Sequence, residues 1–240
     1  MSRINNLVGT SILDFIANVY APDKKNIFFW DTCSLLEILR FPYRGGNLNA
    51  YRILNRINGL IQTNTIYSIA SILTVREWND NENEVKDFMQ KSLAKTDYYH
   101  NTCIEVANEI FGSAHVSEPI SNKDLVSNLE ILADSIISRT IFIQTDEIAG
   151  SALDRVANKR PPSKKKPEFK DCAVWETVLK LSRDIYTIDN VHDQVFYTVN
   201  TDDFVDKSRE PKQIHGELLA EAALSNLRCG YTIQQVDPMI

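Results

Sequence analysis

Long hydrophobic runs are missing from this 240-residue sequence. Its purely apolar stretches, such as 27–30 and 141–143, fall far short of the roughly 18 residues that a membrane-spanning helix needs, so a soluble protein is expected. No continuous apolar stretch opens the chain either. Met1-Ser2-Arg3-Ile4-Asn5-Asn6 leads into a segment carrying Asp14 and Asn18, and no secretion signal is visible. Cysteine is scarce and scattered: Cys33, Cys103, Cys172 and Cys229 form no CxxC pair, which argues against a zinc knuckle or a disulfide framework and for free thiols in a reducing cytoplasm. The histidines, His100, His115, His192 and His215, show neither HxxxH nor HExxH spacing. GxSxG, P-loop and GxGxxG motifs are absent, so serine hydrolase, kinase-like and dinucleotide-binding readings lack their signatures. Positive charge is also short. With 26 Lys and Arg against 32 Asp and Glu, the net charge of −6 argues against broad, nonspecific coating of duplex DNA.

What is present is an ordinary globular composition, 43% hydrophobic and 24% charged, which can bury a sizeable core. Apolar residues at Leu7, Ile12, Phe15, Ile16 and Val19 predict an amphipathic helix over 7–20, stopped near Pro22. Residues 26–30, Asn-Ile-Phe-Phe-Trp, read as a strand buried on both faces of a parallel sheet. The run stops at Asp31, and a helix over 32–40 follows, ended by Phe41-Pro42 and the Gly45-Gly46 turn. Strand 65–69 leads into a helix through Glu77 and Trp78. The polar segment 80–139 reads as a helical insertion whose clearest helix is 124–137, with Ser121 and Asp124 as its capping box. Further expectations are a strand over 140–144, a helix over 146–157, a basic loop over 159–170 and a helix over 171–183. A strand over 195–199, a turn at 200–204, a helix over 217–227 capped by Gly230 and a final strand over 231–236 complete the chain. This alternation predicts a three-layer α/β/α sandwich around a mainly parallel sheet: an N-terminal helical extension, 1–25, and a single domain, 26–240.

Open parallel sheets place their sites beyond the carboxyl ends of the strands. Asp31 stands directly after the first strand, Asp202 and Asp203 in the turn after 195–199, Glu77 on the helix after the second strand and Asp171 just beyond the basic loop. Taken singly, each has a plain structural role open to it: Asp31 and Asp171 as helix caps, Glu77 as a solvated helix residue, Asp202-Asp203 as a turn pair. Taken together they form four acids in four segments, which repel one another unless a cation sits among them. Mg²⁺ and Mn²⁺ take oxygen ligands, activate water and stabilise charge on a phosphodiester.

The order of these motifs resembles the PIN-domain nucleases. Phe29-Trp30-Asp31-Thr32-Cys33-Ser34-Leu35-Leu36 is similar to the family's first motif, Ile72-Leu73-Thr74-Val75-Arg76-Glu77 to the helix with the second acid, and Asp171-Cys172-Ala173-Val174-Trp175-Glu176 to the third. Residues 196–204, Phe-Tyr-Thr-Val-Asn-Thr-Asp-Asp-Phe, look like the last, although Asn200 and Thr201 stand where many members carry Asp. Arg155, Arg160-Pro161-Pro162 and the lysine loop resemble a larger PIN-like subgroup rather than the compact toxins. The resemblance covers about 26–240. It implies a metal-dependent endoribonuclease cutting single-stranded RNA, toxin- or defence-like. Asp31, Glu77, Asp171 and Asp203 (Asp202 as the alternate) would hold Mg²⁺ or Mn²⁺, and Thr32, Thr198 and Asn200 would support them. Arg160, Lys164, Lys165, Lys166 and Lys170 would contact the RNA backbone, and a homodimer or a protein regulator would be the further partner. A DNA nuclease and a catalytically silent RNA-binding or scaffold module are the alternatives. A dehalogenase-type phosphatase also opens on a buried strand and Asp, but needs a second Asp where this chain has Cys33.

The local charge supports the loop assignment. Residues 159–170 hold six Lys and Arg and one Glu, a local +5, which leaves 20 basic against 31 acidic residues in the rest of the chain, or −11. The alternative for such a run is a plain solvated loop; Tyr43 and Arg44 beside Gly45-Gly46 are open to substrate contact, with an ordinary turn as the alternative.

Overall fold

A computed structural model describes residues 7–44 and 46–240. Five parallel strands form the centre: β1 (Asn26–Trp30), β2 (Ile66–Ser71), β3 (Thr140–Ile143), β4 (Gln194–Tyr197) and, near the C-terminus, a strand at Leu227–Gly230. Between β4 and that last strand lies a small antiparallel pair, β5 (Val205–Asp206) and β6 (Gln213–Ile214), so the last strand is β7. The sheet order is β3-β2-β1-β4-β7, with β1 at the centre, paired parallel to both β2 and β4. Its composition explains the position, because a strand without a polar face can lie only where both faces are covered. Phe28 and Trp30 enter one core and Ile27 and Phe29 the other, and all four are buried.

The first core lies under α2 (Thr32–Arg40), α3 (Leu48–Gln62) and α5 (Leu125–Ile137). The second lies under the N-terminal turns α1 (Ile12–Phe15) and a π-helical turn (Ile16–Tyr20), and under α7 (Phe169–Tyr186) and α9 (Gly216–Ala223). Helices on both faces of a mainly parallel sheet make the expected three-layer sandwich. The other α-helices among the described residues are α4 (Leu73–Phe111), α6 (Ala149–Ala157) and the short α8 (Thr201–Phe204) and α10 (Ile233–Val236).

Several expectations are corrected. The N-terminal helix begins at Ile12 rather than Leu7, because Thr10 is extended and bridges Ile143 at the edge of β3. Ile12, Phe15 and Tyr20 then enter the second core. Helix α3 is not among the expected elements, though its apolar residues Ile53, Leu54, Ile57 and Ile61 keep helical spacing and Asn47 caps it by accepting from Ala50 N–H at 2.9 Å. The helix carrying Glu77 does not end before the insertion. It runs 39 residues, about 58 Å at 1.5 Å per residue, and stops at Gly112, whose φ of +61° suits glycine. The capping box of Ser121 and Asp124 is not formed: Asp124 is left-handed, and the Ile120 and Ser121 N–H groups donate instead to the Asp97 carboxylate at 2.8 Å each. Gly230 is the last residue of β7, not a helix cap, and 231–236 forms a turn and α10 rather than a strand. A Cβ at Gly230 would lie 2.5 Å from Val236, so the backbone there needs a residue without one. Gly45 and residues 1–6, part of the turn and N-terminal readings, lie outside the described residues.

Candidate functional site

The strand order reverses between β1 and β4: the chain steps outward from β1 through β2 to β3, then returns to the other side at β4. In a doubly wound sheet that point opens a crevice at the carboxyl edge. Asp31 follows β1 there, and the segment Thr198-Val199-Asn200 follows β4.

Asp31 is 1% exposed. It occupies the N-cap position of α2, yet its side chain closes no capping bond. The Thr198 hydroxyl donates to Asp31 Oδ2 at 2.8 Å, and the Asp31 N–H donates to the Tyr197 carbonyl at 3.1 Å, so the residue is fixed from β4. Burial pushes its carboxyl up to about 7. The Thr198 bond draws it down, the Glu77 charge pushes it further up, and the nearby N–H groups of Thr32 and Cys33 draw it down.

Asp171 is the third residue of α7, whose first turn begins inside the predicted basic loop. Its Oδ2 accepts from Asn200 Nδ2 at 3.2 Å. Burial first, then the charges of Asp31, Asp203 and Glu77, push its carboxyl up to about 8. Four acids from α2's cap, α4, α7 and α8 therefore share one electrostatic neighbourhood. The Cys33 thiol is raised too, first by Asp31, and stays protonated at neutral pH. Thr32 is buried and donates to the Thr74 hydroxyl at 3.1 Å, tying α2 to the turn of α4 just ahead of Glu77.

Asp202 and Asp203 separate clearly. The Asp202 side chain is 80% exposed and paired with Lys207, whereas Asp203 is partly buried and its charge acts on Asp171. Asp203 is thus the member of the pair that turns toward the cluster.

The basic segment divides in two. Pro161, Pro162 and Ser163 are buried, while 164–170 are exposed. Arg160 is ion-paired with Glu217 and Glu221 of α9, which makes it part of the scaffold. Lys170 reaches into the acid cluster, with Nζ 3.3 Å from Glu77 Oε1, and Lys165 Nζ donates to the Asp202 carbonyl at 3.0 Å. Beside Arg160 lies a buried ionic group centred on Arg155 and Glu221, which no sequence pattern joins. The Arg155 side chain is 2% exposed; its Nε donates to Glu176 at 2.7 Å, its Nη1 to the Pro161 carbonyl at 2.6 Å and its Nη2 to both Glu221 oxygens at 2.9 Å. Trp175 Nε1 also donates to Glu221, at 2.8 Å. Burial of an arginine carries no signal in sequence periodicity; only the apolar neighbours Ala152, Cys172 and Ala173 hint at it.

Among the described residues, no three His, Cys, Asp or Glu side chains are arranged to hold a metal ion between them. The donor set is all oxygen, with one buried and one partly buried carboxyl, each held by a side-chain hydrogen bond from a neutral donor. Such a set fits a hard cation that keeps most of its waters and takes one or two carboxylates directly, with the rest through water. All four cysteines are free thiols, and no helix among the described residues is long and apolar enough to cross a membrane. No protein-family model, no curated protein and no solved structure matches the chain.

Proposed function

We propose that this chain is a metal-dependent endoribonuclease that hydrolyses phosphodiester bonds in single-stranded RNA, in the manner of the PIN-domain nucleases it resembles. The observation that carries the reading is the pair of carboxyls, buried Asp31 and partly buried Asp171, both pushed up by desolvation and by their acidic neighbours at the carboxyl edge of the sheet where the strand order reverses between β1 and β4. Isolated helix caps do not gather in this way, and perturbed carboxyls in a cleft mark candidate sites. Asp31 and Asp171 would hold Mg²⁺ or Mn²⁺, with Asp203 and Glu77 acting from the second rank. When bound, the ion supplies a water activated for attack and positive charge against the phosphodiester. The chain's own part is to aim the donors. Thr198 fixes one oxygen of Asp31 and Asn200 one oxygen of Asp171, which orients both carboxyls. Exposed Lys164, Lys165 and Lys166 lie just ahead of α7 and suit phosphate contacts without base readout. RNA rather than DNA follows from the resemblance alone. Four free thiols suit the reducing cytoplasm.

One observation favours a silent RNA-binding or scaffold module instead: Lys170 places an internal cation on Glu77, where a metal would otherwise balance the charge. An assay on end-labelled single-stranded RNA separates the two. Cleavage with Mn²⁺ that EDTA abolishes supports the nuclease; RNA retention without turnover in Mg²⁺ and Mn²⁺ supports the module. Charge reversal of Lys164, Lys165 and Lys166 is expected to weaken RNA binding and to flatten its salt dependence by about one unit of slope for each phosphate that is no longer neutralised. A slope unchanged in filter binding between low and high salt would leave these lysines as plain surface.

A further inference from the structure

On the side of the first core, between α2, α3 and the segments that follow β4 and β7, lies a cavity of about 170 Å³. Ser34 and Glu37 of α2, Phe41, Tyr197, Val199 and Tyr231 are among its walls. Two of these adjoin the cluster along the chain: Ser34 is one turn beyond Asp31, and Val199 separates Thr198, which binds Asp31, from Asn200, which binds Asp171. The cavity is smaller than the roughly 300–1,000 Å³ of pockets for drug-sized ligands, so its natural occupant is a single small ring system.

One wall group has an unmet bond. Glu37 Oε2 is buried and accepts no hydrogen bond, and its nearest cation, Arg44 Nη1, stands 3.8 Å away, beyond hydrogen-bond reach. Burial raises the Glu37 carboxyl, with Arg44 and Arg40 drawing it partly back. A buried acceptor left unpaired is costly, and a ligand bearing N–H donors would recover that cost. A carboxylate accepts only, through two oxygens side by side. Among the four RNA bases, guanine alone presents two adjacent donors on its Watson–Crick edge, N1–H and the 2-amino group. Adenine and cytosine offer one amino group beside an acceptor, and uracil one imino N–H between carbonyls. Phe41 and Tyr231 supply aromatic walls, the usual partners of a base splayed from a single strand.

We infer that this cavity is a guanine subsite in which the Glu37 carboxylate accepts from N1–H and the 2-amino group, placing the phosphate of that nucleotide at the adjoining acid cluster. The inference rests on the nuclease reading for its polymer, an RNA strand; the base preference stands on the cavity alone. Its test uses mononucleotides and needs no turnover. In ligand-observed NMR on the intact chain, guanosine 5′-monophosphate is expected to bind at least about tenfold more tightly than the adenosine, cytidine and uridine counterparts. Inosine 5′-monophosphate, which keeps N1–H but lacks the 2-amino group, is expected to bind several-fold more weakly than the guanosine nucleotide, a comparison that requires no variant. Glu37→Gln, which sets an amide against these donors, is expected to erase the preference, while Asp31→Asn retains it. Equal binding of the four nucleotides, equal binding of inosine and guanosine, or a preference untouched by Glu37→Gln in a protein that melts like the parent would each overturn the subsite. Guanosine preference in a chain that cuts no RNA would keep the subsite and remove the nuclease; RNA cleavage without any guanosine preference would do the reverse.

Discussion

Arg155→Met is expected to lower the stability by about 3–5 kcal/mol, because it leaves carboxylates buried without their partner. Glu176 is hydrogen-bonded by Arg155, and its side chain is 14% exposed. Glu221 keeps Trp175 and Arg160 but is deprived of the donor that spans both its oxygens. The group ties α6, the Pro161-Pro162 segment, α7 and α9 together, and therefore holds α7, the helix that carries Asp171 in its first turn. Arg155→Lys is expected to recover only part of the loss, since one ammonium cannot reproduce the guanidinium fork that reaches Glu176, Glu221 and the Pro161 carbonyl together. A urea denaturation curve measures this, and a loss below about 1 kcal/mol would show the network to be surface-like.

Asp31→Asn is expected to act in opposite directions on activity and on stability. On the proposed nuclease reading, cleavage of RNA is expected to fall by about a thousandfold or more, because a carboxylate proposed to hold the ion is replaced by a neutral amide. Without metal, however, the wild-type site is strained by its own charge. Asp31 and Asp171 have folded values of about 7 and about 8, raised above 3.8. Across that window the folded state binds more protons than the unfolded chain, so stability falls as pH rises from about 4 to about 8. Below pH 4 both states are protonated and the penalty is absent. Removing the Asp31 charge is expected to restore on the order of 2 kcal/mol to the metal-free protein at pH 8, or roughly 4–8 °C in melting temperature for a domain of this size. The same substitution at pH 4 is expected to change little. A metal-free melting temperature that rises with pH between 5 and 8 would contradict the sign of this account.

How legible the sequence was depends on the kind of signal each element carries. β1 and α2 were readable to the residue, because an unbroken apolar strand followed by Asp and a leucine-rich stripe admits few alternatives. β7 was not: Leu227-Arg228-Cys229-Gly230 is short and half polar, and its strand state comes from pairing with β4. Propensity in so short a segment yields to tertiary context. That Asp31, Glu77 and Asp171 act on one another electrostatically follows from their places after strands and on the helices beyond them, and the order of elements made those places legible. The roles of the basic residues were not. Whether an arginine or lysine meets solvent or a carboxylate far along the chain is decided by packing, and Arg160 and Lys170 both found acids. Glu37 was invisible for the same reason: a glutamate on an amphipathic helix looks solvated until the walls around it are known.

Whether the acids gathered beyond β1 and β4 hold a divalent ion is decided by titrating the metal-free protein with Mn²⁺ and following free Mn²⁺ by electron paramagnetic resonance. One or two ions are expected to bind the wild type, and to be lost in both Asp31→Asn and Asp171→Asn. Wild-type protein that leaves Mn²⁺ free, or variants that bind it as well as the parent, would contradict this expectation.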